Sequence, residues 1–251
     1  MSKISNQIEQ IEIEALYRSA EITQMFSQLN FLDEKFKNSN NSSTANILEK
    51  YYLGRSIVVF SYGTIEKFVK TLTQHALISI IDNEYFYTGG CSNTKDFLSI
   101  LKFKNNPMDL YNLLMYYKNN SSADNDFEYL KDKGYFGGRD RIDSTTIAHI
   151  CDVLNLNKNE PLLKIPKATI DSLCANRMIL SHGDYIGDLK LMLNPNRRSI
   201  TIEEINTFIN DTFKLTDVTK NDLITFIKDY KSKITDLLTE IDDYVRMMQG
   251  A

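Results

Sequence analysis

The sequence predicts an all-α protein, and three observations support this fold class. Over residues 4–36, 44–81 and 220–248, apolar residues recur every three or four positions, which is the period of an amphipathic helix. Residues that break helices are rare, with 4 Pro and 10 Gly among 251 residues. The hydrophobic share of 42% is sufficient for a sizeable core. We therefore expect a single helical domain over residues 1–251, built as a bundle with an inserted, partly irregular lobe.

The first two predicted elements are long helices separated by a polar break. Residues 4–36 form the first helix, and its apolar positions include Ile8, Ile11, Leu16, Ala20, Ile22, Met25 and Leu29. The segment NSNNSST at 38–44 ends it, because short polar side chains compete for backbone hydrogen bonds. The second helix runs from Thr44 to Ile81 and has an apolar stripe of Tyr51, Val58, Tyr62, Ile65, Val69, Leu72 and Ala76. Arg55 and Glu66 interrupt that stripe, either as a charged rim or as functional side chains.

The stretch at about 82–143 is predicted to be the inserted lobe. It contains a turn in YFYTGGCSN, short helices in NTKDFLSILKF and PMDLYNLLMYYK, and loops in NNSSADND and KGYFGGRDR. The last loop combines Arg139 and Arg141 with aromatic residues, which suits either a nucleic-acid contact or a solvated loop.

Further helices are predicted after the lobe. Ser144 is expected to cap a helix that reaches Leu154, and Pro166 to open a helix toward His182. YIGDLKLMLN is compatible with a helix or a strand, NPNRR with a turn, and SITIEEINTFINDTF with another helix. The last helix is predicted from Lys220 to Met248.

Composition and short motifs exclude several classes of function. A formal net charge of -4 argues against a protein that coats nucleic acid through bulk charge, and it leaves a local basic site open. The three cysteines are widely spaced, which fits neither a disulfide framework nor a zinc site. The chain contains no secretion signal and no stretch of about 18 apolar residues that could span a membrane. We therefore expect a cytoplasmic protein with no membrane contact, no metal and no other cofactor.

A charged pair stands out in NRMILSHGD, residues 176–184. Arg177 occupies the next position of an inward stripe formed by Ile170, Leu173 and Cys174. A guanidinium buried there is costly unless it is paired or binds an anion. On an ideal helix His182 lies about 140° around the axis and about 7.5 Å along it from Arg177. The two side chains share one site if the helix ends between them, as Gly183 suggests, or if a second chain completes the site.

The segment RMILSH, Arg177 to His182, resembles the signature of the HEPN superfamily. These helical domains occur in prokaryotic toxins, defence systems and RNA-processing enzymes, and carry an Arg and a His separated by four to six residues on a later helix. SIVVFSYGTIEKFVKTL at 56–72 is similar to the earlier core helix of several HEPN nuclease families, where an acidic residue corresponds to Glu66. The residue after the Arg is commonly Asn, Asp or His in active members, and it is Met178 here.

The resemblance implies an up-and-down helical bundle that forms a homodimer, in which two Arg and His pairs face each other. It also implies metal-independent endoribonuclease activity. The chemistry of the residues agrees, because RNA carries its own nucleophile in the 2′-hydroxyl next to each phosphodiester. Imidazole, with an ordinary pKa of about 6.5, transfers protons at neutral pH. A guanidinium binds two phosphate oxygens and stays charged.

We assign catalytic roles to Arg177, His182 and Glu66, where Glu66 orients one of the other two. RNA contacts are assigned to Asn176, Ser181, Lys70, Arg139 and Arg141. The expected function is RNA cleavage that leaves a 2′,3′-cyclic phosphate, in a toxin or an anti-phage effector that an antitoxin or another defence-system protein holds silent. Two alternatives stay open. One is a catalytically inactive HEPN module that binds RNA or scaffolds proteins, and the other is an unrelated helical protein in which Arg177 pairs with Glu66.

Overall fold

The computed structural model describes residues 3–38, 44–105, 141–156, 167–182 and 220–250. Every regular element in these ranges is helical, which confirms the all-α class. The elements are α1 (Lys3–Asn38), α2 (Thr44–Asp82), a short 3₁₀ helix (Tyr85–Thr88), α3 (Ser92–Asn105), α4 (Ser144–Val153), α5 (Lys167–His182) and α6 (Lys220–Gly250). No helix in the described part of the chain is both long and apolar enough to cross a membrane.

The three long helices lie where apolar periodicity predicts them, over 4–36, 44–81 and 220–248. Several other predictions fall outside the described residues. These are the helix PMDLYNLLMYYK, the loop NNSSADND, the loop KGYFGGRDR except for Arg141, the opening residue Pro166, and the segments YIGDLKLMLN, NPNRR and SITIEEINTFINDTF.

The residues group into two compact units. The first unit comprises Met1–Glu14, Phe68–Lys164 and Lys228–Ala251, and the second comprises Ala15–Lys67 and Ile165–Ile227. The boundaries fall inside α1, α2 and α6, so each of these helices contributes to both units. Helices α3 and α4 belong to the first unit, and α5 belongs to the second. The single domain expected over residues 1–251 stays a prediction.

The buried side of α1 differs from the predicted one. Leu16 is 70% exposed and Ala20 is also exposed, so their assignment to the inward stripe is wrong. The buried positions of α1 are Ile4, Ile11, Ala15 and Ile22. Because α1 carries apolar residues on more than one side, its periodicity does not by itself decide which side packs.

The predicted stripe of α2 is confirmed wherever its side chains are described. Its buried members are Val58, Tyr62, Ile65, Val69, Leu72 and Ala76. The side chain of Tyr51 lies outside the described part of the structure. Arg55 and Glu66, which interrupt the stripe, are half-buried, as expected for charged groups at the margin of a packed face.

Side-chain hydrogen bonds join α1, α2 and α6 in the first unit. The Thr73 hydroxyl lies 2.7 Å from the carbonyl oxygen of Val69 and 2.6 Å from the hydroxyl of Tyr230. A threonine hydroxyl has one proton, which goes to Val69, so Tyr230 donates to Thr73. From α2, Ser79 donates to Oε1 of Gln7 on α1 at 2.8 Å.

Helix α4 is capped by Asp143 and not by the predicted Ser144. The Asp143 carboxylate accepts a hydrogen bond from the backbone N–H of Thr146 at 2.8 Å, while Ser144 is the first helical residue and is buried. Both residue types cap helices well, and they are adjacent, so composition alone does not choose between them. At the other end, Leu154 is the last cap residue, in agreement with the predicted end.

The second unit has its own apolar core, which packs α2 against α5. Its buried apolar residues are Ala15, Ile22, Ile57, Val58, Tyr62, Ile65, Ile170, Leu173, Cys174, Leu180, Leu223, Phe226 and Ile227. A polar contact at its side links α1 to α2, because buried Thr64 donates to Glu21 at 2.9 Å. Arg18 donates to the same carboxylate at 3.1 Å.

Candidate functional site

The inward stripe predicted for α5 is present. Ile170, Leu173 and Cys174 are buried, and Leu180 continues the same packed side. Arg177 is half-buried, so its guanidinium lies at the margin of the core and keeps part of its surface in solvent. A charge at such a margin avoids most of the cost of full burial. It also stays within reach of a dissolved anion.

An aromatic ring from α2 supports the guanidinium of Arg177. The Arg177 Cζ atom lies 5.3 Å from the ring centroid of Tyr62, whose side chain is only 2% exposed. The Tyr62 hydroxyl accepts a hydrogen bond from the Cys174 thiol, with 3.8 Å between sulfur and oxygen. The π face of the ring attracts the cation, and the N–H groups of a guanidinium are well suited to binding an anion.

Helix α5 continues through His182, which corrects one expectation. The sequence suggests that the helix ends between Arg177 and His182, yet both lie within Lys167–His182. Their backbone positions are therefore separated by about 140° around the axis and about 7.5 Å along it. The side chains of Ser181 and His182 lie outside the described part of the structure.

A second arginine contacts the end of α5. Arg55 of α2 is half-buried, and its guanidinium donates to the carbonyl oxygen of Leu180. Since Arg55 contacts Leu180 and Tyr62 contacts Cys174 and Arg177, the chain directions of α2 and α5 are opposite. Sequence reasoning noted Arg55 only as an interruption of an apolar stripe, seven residues before Tyr62 on the same side of α2.

Glu66 lies on α2 one turn beyond Tyr62 and is half-buried. The antiparallel register of α2 and α5 places position 66 farther from the end of α5 than Arg55 and Tyr62 are. The Arg177 Cζ atom lies over the ring of Tyr62. The pairing of Glu66 with Arg177 or His182 stays a prediction.

The residues assigned to RNA contacts are spread over different parts of the chain. Buried Asn176 donates from Nδ2 to the Ser172 hydroxyl oxygen at 3.4 Å, so its amide is engaged within α5. Lys70 is half-buried and Arg141 is exposed, and both belong to the first unit. Arg139 lies outside the described residues. Of these five assignments, the structure brings only Asn176 and the backbone of Ser181 onto the helix of Arg177.

Comparison of the chain with protein-family models, with curated proteins and with solved structures finds no match. Within the described residues, no three His, Cys, Asp or Glu side chains group in a way that could hold a metal ion.

Proposed function

We propose that the chain is a metal-independent HEPN-type endoribonuclease that acts as a toxin or anti-phage effector. The observation that carries this proposal is the guanidinium of Arg177, half-buried over Tyr62 and, among the described residues, not paired with a carboxylate. A cation that is half removed from water at the margin of an apolar core keeps part of the desolvation cost, and an anionic ligand would offset that remainder. The Arg-x-x-x-x-His motif also supplies an imidazole for proton transfer. The anion that we propose as the ligand is therefore an RNA phosphodiester.

The arrangement suits a phosphodiester. The guanidinium lies over the ring of Tyr62, and its planar fork can offer two parallel N–H groups to two phosphate oxygens. These N–H groups remain charged while negative charge grows on the phosphate in the transition state. His182 would take the proton from the 2′-hydroxyl or give one to the leaving 5′ oxygen. The products are a 2′,3′-cyclic phosphate and a 5′-hydroxyl.

The helical separation of positions 177 and 182 supports a site made by two chains. On one straight helix, the side chains of Arg177 and His182 leave the axis about 140° apart. The simplest source of an imidazole that faces Arg177 is therefore a second copy of the chain. In a two-fold homodimer each chain contributes the same surface, and both Arg and His pairs can line one cleft. Two imidazoles then divide the acid and base roles.

The first test is cleavage of single-stranded RNA in the presence of a metal chelator. We expect the wild-type chain to leave 2′,3′-cyclic phosphate ends, and Arg177→Ala and His182→Ala to lower the rate by at least about 100-fold, the usual contribution of a positioned proton-transfer or charge-stabilising group. Arg177→Lys keeps the charge without the planar fork and should stay strongly impaired. His149→Ala, which removes an exposed imidazole of the first unit, serves as the control and should retain full activity. Equal cleavage by wild type, Arg177→Ala and His182→Ala would exclude the assignment.

Mixing the two inactive variants tests the composite site. If Arg177 of one chain works with His182 of another, mixed dimers of Arg177→Ala and His182→Ala recover part of the activity. Mixed dimers that form and stay inactive would contradict a shared cleft.

Met178 favours a second candidate, a non-catalytic HEPN module that binds RNA or scaffolds proteins. This half-buried apolar residue stands where active members commonly carry a polar one. The module would bind RNA without turnover, and His182→Ala would leave binding unchanged. Growth arrest on expression, relieved by His182→Ala, separates the toxin from the scaffold.

A further inference from the structure

A hydrogen bond from Arg55 of α2 connects the C-terminal end of α5 to α2. The guanidinium of Arg55 donates to the Leu180 carbonyl oxygen, two residues before the last residue of the helix. The last four carbonyl groups of an α-helix have no partner inside the helix, and the helix dipole makes that end negative. A cation that donates to one of these carbonyls satisfies an unpaired acceptor and also opposes the dipole.

This contact differs from an ordinary surface interaction. Arg55 is half-buried, it reaches Leu180 across 125 positions of sequence, and among the described residues it has no carboxylate partner. Leu180 is fully packed, so its carbonyl is held near the apolar core of the second unit. Loss of the donor would leave a partly buried acceptor without its charged partner, which costs more than loss of a neutral surface hydrogen bond.

We infer that Arg55 is a positioning residue for the proposed nuclease site, which fixes the last turn of α5 and with it the backbone of His182. The inference rests on the proposed function, because it assigns a role within the same site. Proton transfer requires the imidazole to be within hydrogen-bond reach of the substrate, so a helix end that frays misplaces it. Arg55 acts through the Leu180 carbonyl and does not contact RNA. Arg177 holds the phosphate, while Arg55 holds the helix end that carries the imidazole.

The enzymatic test compares Arg55→Gln and Arg55→Lys with wild type in steady-state RNA cleavage. Gln retains an N–H donor without charge and Lys retains the charge, so both keep part of the contact and are expected to fold. We expect Arg55→Gln to lower kcat by about tenfold or more with KM within about twofold, as for loss of one hydrogen bond from a charged group, and Arg55→Lys to recover part of the loss. Lys67→Gln, which removes an exposed cation from the same helix, is the control and should match wild type. A rise in KM at unchanged kcat would show that Arg55 binds RNA and would overturn the inference.

A double-mutant cycle separates positioning from a general loss of structure. A residue that acts through His182 has no further effect once the imidazole is gone, so Arg55→Gln should not slow residual cleavage in a His182→Ala background. Additive losses would overturn the inference.

Amide hydrogen exchange tests the same contact without RNA. In Arg55→Gln we expect the amides of the last turn of α5 to exchange about tenfold faster than in wild type, while the buried middle of α2 is unchanged. Unchanged exchange in α5 would overturn the inference. If the wild-type chain does not cleave RNA, the nuclease proposal fails and the catalytic part of this inference fails with it. Amide hydrogen exchange then decides separately whether the hydrogen bond from Arg55 to Leu180 stabilises the last turn of α5.

Discussion

At the scale of single residues, Tyr62 connects the apolar core to the proposed site. Its ring is buried, its hydroxyl accepts from Cys174, and its π face carries the guanidinium of Arg177. Such a cation–π contact contributes about 0.5–2 kcal/mol, depending on how far the pair is removed from water. The ring therefore offsets part of the cost of holding a charge at the core margin.

Substitutions of Tyr62 separate the ring from the hydroxyl. Tyr62→Phe keeps the π face and removes the hydroxyl that accepts from Cys174, so RNA cleavage should stay within about twofold of wild type. Tyr62→Leu removes the support of Arg177 and should lower cleavage by about tenfold at temperatures where circular dichroism shows a folded chain. Equal activity of Tyr62→Leu and Tyr62→Phe would show that the ring does not hold Arg177 for function.

The position of Arg177 was predictable from sequence, whereas its partners were not. Helical period assigns Arg177 to the inward side of its own helix, and α5 confirms that stripe. Period alone does not say which residue of another helix meets it, because that depends on the register of α2 against α5. In the sequence, Tyr62 is a member of the apolar stripe of α2 and Arg55 interrupts that stripe. Neither residue is marked there as a contact of α5.

At the scale of elements, helix spans were easier to predict than helix ends and helix faces. Long apolar periods predict α1, α2 and α6 well, since many residues contribute to each. A cap depends on one side chain and its local backbone, and Asp143 rather than Ser144 makes it in α4. The buried face of α1 was predicted only in part because its apolar residues lie on several sides.

The cap of α4 should contribute measurably to stability. Asp143→Ala removes the acceptor of the Thr146 N–H and should lower the free energy of unfolding by about 1 kcal/mol, as for other capping residues. Asp143→Asn keeps an acceptor at the cap and should stay close to wild type. Thr145→Ala, at an exposed position of the same turn, is a second control. Urea unfolding of the first unit measures these differences, and equal midpoints for Asp143→Ala and wild type would contradict the assigned cap.

At the scale of the whole molecule, the sequence gives no sign of where the two compact units divide. The boundary on α2 falls between Lys67 and Phe68. Buried Ile65 lies just before it, and buried Phe68 is the first residue after it. Buried residues of the apolar stripe lie on both sides of this point, and neither a glycine nor a proline stands between Ile65 and Leu72. The division into two units is determined by contacts between helices that lie far apart in the sequence. Local apolar periodicity does not contain that information.

Stability of the whole chain should depend on pH through His75. Burial, opposed in part by the nearby charge of Glu14, lowers the pKa of His75 below its ordinary value of 6.5 in the folded state. The unfolded chain therefore binds this proton more readily, so the contribution of neutral His75 is complete above pH 6.5 and is lost as the pH falls from 6.5 toward the folded pKa.

Urea unfolding of wild type and His75→Gln at about pH 7.5 and about pH 5.5 measures this contribution. Acidification should destabilise wild type more than His75→Gln, because only wild type carries the histidine that gains a proton on unfolding. His149→Gln leaves His75 in place and should follow wild type. A greater loss in His75→Gln would reverse the assigned direction.

The three cysteines provide internal reporters of local opening. Cys91, Cys151 and Cys174 are all buried thiols, and burial with the nearby Asp152 charge raises the pKa of Cys151 to about 12. Alkylating reagents attack thiolates, so each sulfur stays inert until its surroundings open to water. Cys91 and Cys151 belong to the first unit and Cys174 to the second. Chains that retain one cysteine at a time would thus record, by the order of their alkylation, which half of the protein loosens first.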